Sequence, residues 1–115
     1  MIKILFICHG NVCRSPMAEY VLKDLVKRDG KESSFFISSA ATHDEVLGQH
    51  VHPLAVEQLA KHGIDCSEKT ACRLKKEDGK NFDFIIGMEQ KNKDDVIKIC
   101  GGRYCQQSSF PVRFF

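Results

Sequence analysis

The chain has 115 residues, of which 43% are hydrophobic and 28% charged, a composition typical of one folded domain and not of a disordered or fibrous protein. Its 17 basic and 15 acidic residues give a net charge of +2, which is too balanced to indicate a nucleic-acid or anionic-membrane partner.

The first apolar segment, residues 1–7, is far too short to span a membrane, and no small-residue cleavage site follows it. We therefore predict a cytoplasmic protein with no membrane partner. In that compartment the six cysteines are expected to be reduced thiols and not a disulfide scaffold.

The N-terminal third of the chain predicts a strand, a tight loop and a helix. The continuous apolar run Ile4–Ile7 is typical of a strand buried on both faces of a parallel sheet. After a loop, Ser15 is the predicted N-cap of a helix and Pro16 its first residue. An apolar stripe that includes Leu25 runs along this helix, which we expect to end at Gly30.

Strands and helices alternate through most of the remaining chain. Further strands are predicted at 35–37 and 82–88. Further helices are predicted from Pro53 to a stop at Gly63, and at 90–100. This alternation favours an α/β fold with a doubly wound parallel sheet of three to four strands. We assign residues 1–102 to this domain and 103–115 to a divergent tail, in which Pro111 allows at most an edge strand.

One motif between the first strand and the first helix indicates chemistry. It has the form Cys-x5-Arg-Ser, with Cys8, Arg14 and Ser15 at its fixed positions. A loop that enters a helix N-terminus directs unpaired backbone N–H groups, and the positive end of the helix dipole, at one point where an oxyanion such as phosphate can bind. There we expect Cys8 to act as nucleophile, Arg14 to bind the phosphate and stabilise the transition state, and Ser15 to donate a hydrogen bond to the thiolate.

The residues between Cys8 and Arg14 are predicted to form the phosphate-binding loop: His9, Gly10, Asn11, Val12 and Cys13. The alternative is that Cys8 merely ends a buried strand, since free cysteines are often buried. A chance match to the motif is much rarer when an apolar strand must also precede it and a capped helix must follow it.

Residues 4–19, which include this motif, resemble the signature of the low-molecular-weight protein tyrosine phosphatases. Three later segments follow the family's order: Ser39–Thr42, His62–Ile64 and Phe82–Glu89 with Asn92. The resemblance extends over about residues 1 to 102. It implies a flavodoxin-like sheet with the site at the strand carboxyl ends.

The same resemblance implies an enzyme that hydrolyses phosphotyrosine in proteins, or small aryl phosphates, through a phosphocysteine intermediate. No metal or other cofactor is implied, and phosphate and similar oxyanions are expected to inhibit. It also implies that Cys8 and Cys13 can form a protective disulfide, an interpretation that we leave open beside simple packing of Cys13 under the loop.

The sequence departs from the family where the general acid is expected. The family supplies this acid from a late Asp-Pro motif, whereas none of Pro16, Pro53 and Pro111 follows an aspartate. We therefore identify no general acid, and we expect activity to be impaired. A C-terminal truncation or frameshift near residues 101–102 would explain the departure. It would also remove the last helix and leave a sheet face uncovered, which predicts self-association.

Three other interpretations were weighed. A thiol-dependent arsenate reductase shares the fold, but no Cys-x-x-Cys pair accompanies the motif. An inactive phosphate-binding remnant is the non-enzymatic alternative. The histidines at 50, 52 and 62, with Cys66, are spaced too loosely to favour a zinc site.

Overall fold

A three-stranded parallel sheet forms the centre of the part of the chain that the structure describes. The structure is a computed structural model, and it describes residues 1–10, 14–43, 48–87 and 90–100. The strands are β1 (Ile2–Cys8), β2 (Phe35–Ala41) and β3 (Phe84–Gly87), in the order β2-β1-β3. The second half of β1, Leu5–Cys8, is buried on both faces of the sheet, because other parts of the chain cover both faces. Cys8 pairs with Ala41, so the end of β1 lies beside the end of β2.

Four helices connect and cover the strands: α1 (Arg14–Arg28), α2 (Pro53–Ala60), the single-turn α3 (Asp78–Asn81) and α4 (Gln90–Cys100). Local chemistry explains two of their ends. Pro53 is the first residue of α2, and Nδ1 of His52 accepts a hydrogen bond from the Leu54 N–H. After α1, Gly30 adopts a φ of 71°, and the Lys31 N–H donates to the Val26 carbonyl oxygen.

Each face of the sheet is covered by a different part of the chain. On one face, α1 packs on the side chains of β1 that alternate from Ile4 to Cys8. On the other face, α4 and the segment around Leu74 cover the intervening residues. A third apolar cluster lies between α1 and α2. The buried residues of the two sheet faces are Phe6, Cys8, Ala18 and Ile37 on the first, and Leu5, Ile7, Ala40, Leu74, Ile85 and Val96 on the second.

The predicted fold is confirmed: the sheet is parallel, the elements alternate, and the strand order 2-1-3 is that of a flavodoxin-like fold. The tail beyond residue 102 lies outside the described residues, so the domain boundary, an edge strand there and the missing last helix stay predictions. Within the part of the chain that the structure describes, no helix is long and apolar enough to cross a membrane.

Two details of the first helix were predicted wrongly. The helix begins at Arg14, so Ser15 lies inside its first turn instead of capping it. Leu25 is 55% exposed although it belongs to the apolar stripe. The single-turn α3 was not predicted at all, because four polar residues carry no apolar period.

Candidate active site

Cys8 ends β1 at the carboxyl edge of the sheet, where its side chain is buried against α1. Its Sγ lies 2.9 Å from Oγ of Ser15, and either atom could be the donor. Ser15 is itself fully buried, so its hydroxyl is held against the sulfur and away from water. A hydroxyl in this position can donate to a thiolate, as the sequence predicts.

The N-terminal turn of α1 lies beside this sulfur. Because α1 begins at Arg14, the residue that contacts Cys8, Ser15, is the second residue of the helix. The N–H groups in the first turn of a helix have no partner inside the helix, and the positive end of its dipole lies there. An anion bound beside Cys8 would therefore be stabilised by this helix end. Arg14 is half-buried, and its phosphate-binding role stays a prediction.

Of the predicted loop, His9 and Gly10 are described and half-buried, whereas residues 11–13 lie outside the described part of the chain. The roles of Asn11, Val12 and Cys13 therefore stay predictions, as does a disulfide between Cys8 and Cys13. The structure brings Cys8, His9 and Ser15 to the same end of the sheet as Arg14.

A pair of stacked histidines lies beside the loop and was not predicted from the sequence. The imidazole rings of His9 and His43 have centroids 4.0 Å apart and an interplanar angle of 17°. Backbone hydrogen bonds support the pair: the Thr42 N–H donates to the Cys8 carbonyl oxygen at 3.0 Å, and the His43 N–H to that of His9 at 3.2 Å. Both histidines follow the ends of adjacent parallel strands, which is the signal that could have indicated their proximity.

A buried carboxylate on α1, that of Glu19, was not predicted to be buried or paired. It accepts a hydrogen bond from Ser39 Oγ, and two lysines, Lys23 and Lys69, pair with it. Glu19 follows Ser15 by four residues on α1, so both side chains lie on one helix face. This spacing was visible in the sequence, but Lys69 is distant in the chain and only the fold reveals it.

The other described cysteines differ from Cys8 in their surroundings. Cys66 is buried between α1 and α2, and this burial, with the charge of Asp65, raises the pKa of its thiol. A buried thiol with a raised pKa is a poor nucleophile. Cys72 is exposed, and its Sγ donates to the Ser39 carbonyl oxygen.

The histidines and Cys66 considered above for a zinc site have other surroundings in the structure. His52 uses Nδ1 to cap α2, and Cys66 is buried in an apolar cluster. Among the residues that the structure describes, no three metal-binding side chains come together.

A cavity of about 460 Å³ lies between α1, β2 and residues 63–65, away from the candidate site. Tyr20, Phe35 and Ile64 are among its lining residues, but Cys8, Arg14 and Ser15 are not. The predicted nucleophile and the N-terminus of α1 therefore lie outside this cavity.

Comparisons with known proteins point to one family. The family model for low molecular weight phosphotyrosine protein phosphatase matches residues 3–109. The pig enzyme of that name is 40% identical over 93 residues, which cover 81% of this chain and 58% of the relative. The protein-tyrosine-phosphatase YfkJ of Bacillus subtilis is 35% identical over 101 residues, which cover 88% of this chain and 65% of YfkJ.

Solved structures give the same result. The crystal structure of YfkJ from Bacillus subtilis superposes with a TM-score of 0.90 at 32% identity, over 94% of this chain and 68% of YfkJ. A protein tyrosine phosphatase from Entamoeba histolytica superposes with a TM-score of 0.88 at 28% identity, over 95% of this chain and 69% of that protein.

The chain spans about three fifths of the length of the curated relatives that it matches. The match nevertheless includes β1, the motif and α1, and it extends over nearly all of the chain. This chain therefore belongs to the low molecular weight phosphotyrosine protein phosphatase family.

Proposed function

We propose that this chain is a protein tyrosine phosphatase that hydrolyses phosphotyrosine or aryl phosphate esters through a phosphocysteine intermediate. The observation that carries the proposal is the 2.9 Å contact between Cys8 Sγ and Ser15 Oγ at the N-terminus of α1. This contact combines a nucleophile with an anion-binding helix end, in a chain whose family is named for this activity.

The first chemical step is attack by the Cys8 thiolate on phosphorus. A sulfur–phosphorus bond forms and the bond from phosphorus to the phenolic oxygen breaks, so that the phenolate leaves with the electron pair. Arg14 binds two phosphoryl oxygens bidentately and stabilises the transition state, while the α1 N-terminus binds the remaining charge. Ser15 donates its hydroxyl proton to the sulfur as a hydrogen bond.

In the second step, water attacks the phosphocysteine and sulfur leaves as a thiolate, which the Ser15 hydroxyl stabilises. A structural relative supports a covalent step: a cysteine-to-serine mutant of the arginine phosphatase YwlE carries a phosphorylated active-site serine. YwlE superposes with a TM-score of 0.83 at 29% identity, over 94% of this chain and 68% of YwlE.

Leaving-group protonation is the step for which we assign no residue. A positioned acid typically contributes about 10²–10⁴-fold to the rate. We therefore propose that this chain hydrolyses p-nitrophenyl phosphate, whose anion leaves readily, much better than phosphotyrosine. The physiological substrate, inhibition by oxyanions and a cytoplasmic location stay predictions.

The two alternative functions are not favoured. The family model and the relatives described above are phosphatases by name, which gives no support to arsenate reduction. The buried Cys66, with its raised pKa, is also poorly suited to passing electrons. The inactive remnant is not favoured either, because the contact between Cys8 and Ser15 that the proposed reaction needs is present.

Hydrolysis of p-nitrophenyl phosphate near pH 6 tests the proposal. We expect turnover by the 115-residue chain that is abolished in Cys8→Ser and retained in Cys72→Ser, in which an exposed thiol is replaced. Binding of vanadate without turnover would support the remnant instead. Equal rates in the wild-type chain and Cys8→Ser would overturn the proposed function.

A further inference from the structure

His43 follows the end of β2 by two residues and contacts the residue next to the proposed nucleophile. Its imidazole ring stacks on that of His9, with centroids 4.0 Å apart and an interplanar angle of 17°. Its backbone N–H also donates to the His9 carbonyl oxygen at 3.2 Å. Because His9 is joined directly to Cys8, both contacts act on the residue that follows the nucleophile.

The residue before His43 orients its ring. Thr42 Oγ1 lies 2.9 Å from Nδ1 of His43, and Thr42 is only 3% exposed. The Thr42 N–H donates to the Cys8 carbonyl oxygen at 3.0 Å. Thr42 and His43 therefore hold two consecutive carbonyl groups, those of Cys8 and His9, and a buried hydroxyl orients the ring that stacks on His9.

These contacts lie where the regular sheet ends. The last pair in the register of β1 and β2 is Cys8 with Ala41, and β1 ends at Cys8. In a regular parallel ladder, successive N–H groups of one strand point to opposite sides, so only alternate residues donate to the same neighbour. Thr42 and His43 donate to consecutive residues of one neighbour, so the chain departs from the ladder at His43, where its ring lies against His9.

His9 is the first residue of the predicted phosphate-binding loop, so its position determines where that loop begins. A displacement of about 1 Å at a catalytic site can lower a rate by about 10²-fold. A stacked aromatic pair resists such a displacement, and it contributes about threefold to tenfold to an equilibrium constant beyond the area that it buries. The His43 ring therefore stabilises one position of His9.

We propose that His43 is a positioning residue of the candidate phosphatase site: its ring, stacked on His9, fixes the residue at which the phosphate-binding loop leaves β1. The inference rests on the proposed function for its relevance to catalysis. The role is one of contact and not of charge, because Arg14, which carries a permanent positive charge, begins α1 at the same end of the sheet. Another aromatic ring should therefore replace His43.

Protection of Cys8 from iodoacetamide by inorganic phosphate tests this role without turnover. Alkylation at Cys8 is followed by fragment-resolved peptide mass spectrometry at one fixed pH, and the phosphate concentration that halves the rate is compared between variants. We expect His43→Ala to raise this concentration about threefold to tenfold, because the stack is lost. His43→Phe keeps a stacking ring and should stay within about twofold of the wild-type chain.

Two further variants separate the ring from other roles. His43→Asn keeps a polar side chain beside Thr42 but removes the ring, so it should resemble His43→Ala. His50→Ala is the matched control, because it removes an exposed histidine from the same connection between β2 and α2, and the wild-type value is expected. An unchanged concentration in His43→Ala would overturn the proposal. A loss in His43→Phe as large as that in His43→Ala would do the same, since it indicates a role in charge or hydrogen bonding.

His43→Asn also gives an independent test in case His43→Ala does not fold, as judged by circular dichroism, and equal values in His43→Asn and the wild-type chain would contradict the proposal. Absence of p-nitrophenyl phosphate turnover in a wild-type chain that phosphate still protects would overturn the proposed function alone. Absence of any protection in the wild-type chain would overturn both.

Discussion

The contact between Cys8 and Ser15 concentrates the proposed chemistry in two buried side chains. A buried hydroxyl has few alternative partners, so its hydrogen bond to a charged sulfur is stronger than the same bond at the surface. Both steps of the proposed reaction place a thiolate at this sulfur, once as nucleophile and once as leaving group. The hydroxyl is therefore expected to assist both.

Ser15→Ala removes this hydrogen bond while keeping the size of the side chain similar. Hydrogen bonds to charged groups contribute about 1.5–3 kcal/mol, which corresponds to a fall in kcat of about 10- to 100-fold. Steady-state hydrolysis of p-nitrophenyl phosphate measures the change. Ser67→Ala is the control, because its hydroxyl donates only to the exposed Asp65 in the described contacts, and wild-type activity is expected. A Ser15→Ala enzyme with unchanged kcat would contradict the role of Ser15.

The raised pKa of the Cys66 thiol predicts how the free energy of unfolding depends on pH. Its pKa is raised above 9.0 in the folded chain, chiefly by burial. The unfolded chain therefore releases this proton at a lower pH than the folded chain does, and the free energy of unfolding falls as pH rises above about 9. Urea unfolding between pH 8 and pH 10 measures this fall. Cys66→Ala should show a shallower dependence, and an identical slope in both proteins would contradict the prediction.

At the scale of elements, the sequence predicted what short-range patterns determine. The apolar run of β1 and the Pro53 helix start needed only neighbouring residues, and the motif between β1 and α1 placed Cys8 beside a helix N-terminus. The start of α1 was misplaced by a residue or two, because an N-cap preference does not reveal that the Ser15 hydroxyl contacts sulfur instead. The partners of Glu19 and of His9 come from distant segments, so only the tertiary structure could reveal them.

The end of α1 provides a test of local backbone chemistry. Gly30 has a φ of 71°, a region that costs a side-chain-bearing residue free energy, and an added Cβ would meet nothing within 4 Å. Gly30→Ala should therefore destabilise the fold by about 1 kcal/mol through the backbone alone, measured by urea unfolding. Gly30→Asn should cost less, because asparagine tolerates this region better. Equal stability of the alanine variant and the wild-type chain would contradict this explanation.

At the scale of the whole molecule, two apolar side chains of the sheet are exposed on the face that α1 covers. Ile2 and Phe84 lie on the α1 face, as their register with Ile4 and Ile86 requires, and both remain more than 40% exposed. Apolar side chains exposed side by side on a sheet favour association. The predicted self-association is therefore expected through this face.

Phe84→Ser tests the association, measured by sedimentation velocity over a wide range of protein concentration. The wild-type chain should form larger species as concentration rises, and Phe84→Ser should weaken this tendency. Phe36→Ser is the matched control: Phe36 is similarly exposed but lies on the opposite face, against Phe82. A wild-type chain that stays monomeric throughout would contradict the prediction.

The proposed function depends above all on covalent phosphorylation of Cys8. Acid quenching during hydrolysis of p-nitrophenyl phosphate, followed by peptide mass spectrometry, tests this step. We expect a phosphoryl group on Cys8 in the quenched wild-type chain, and none after quenching without substrate. Turnover that proceeds with an unmodified Cys8, or that persists in Cys8→Ser, would contradict it.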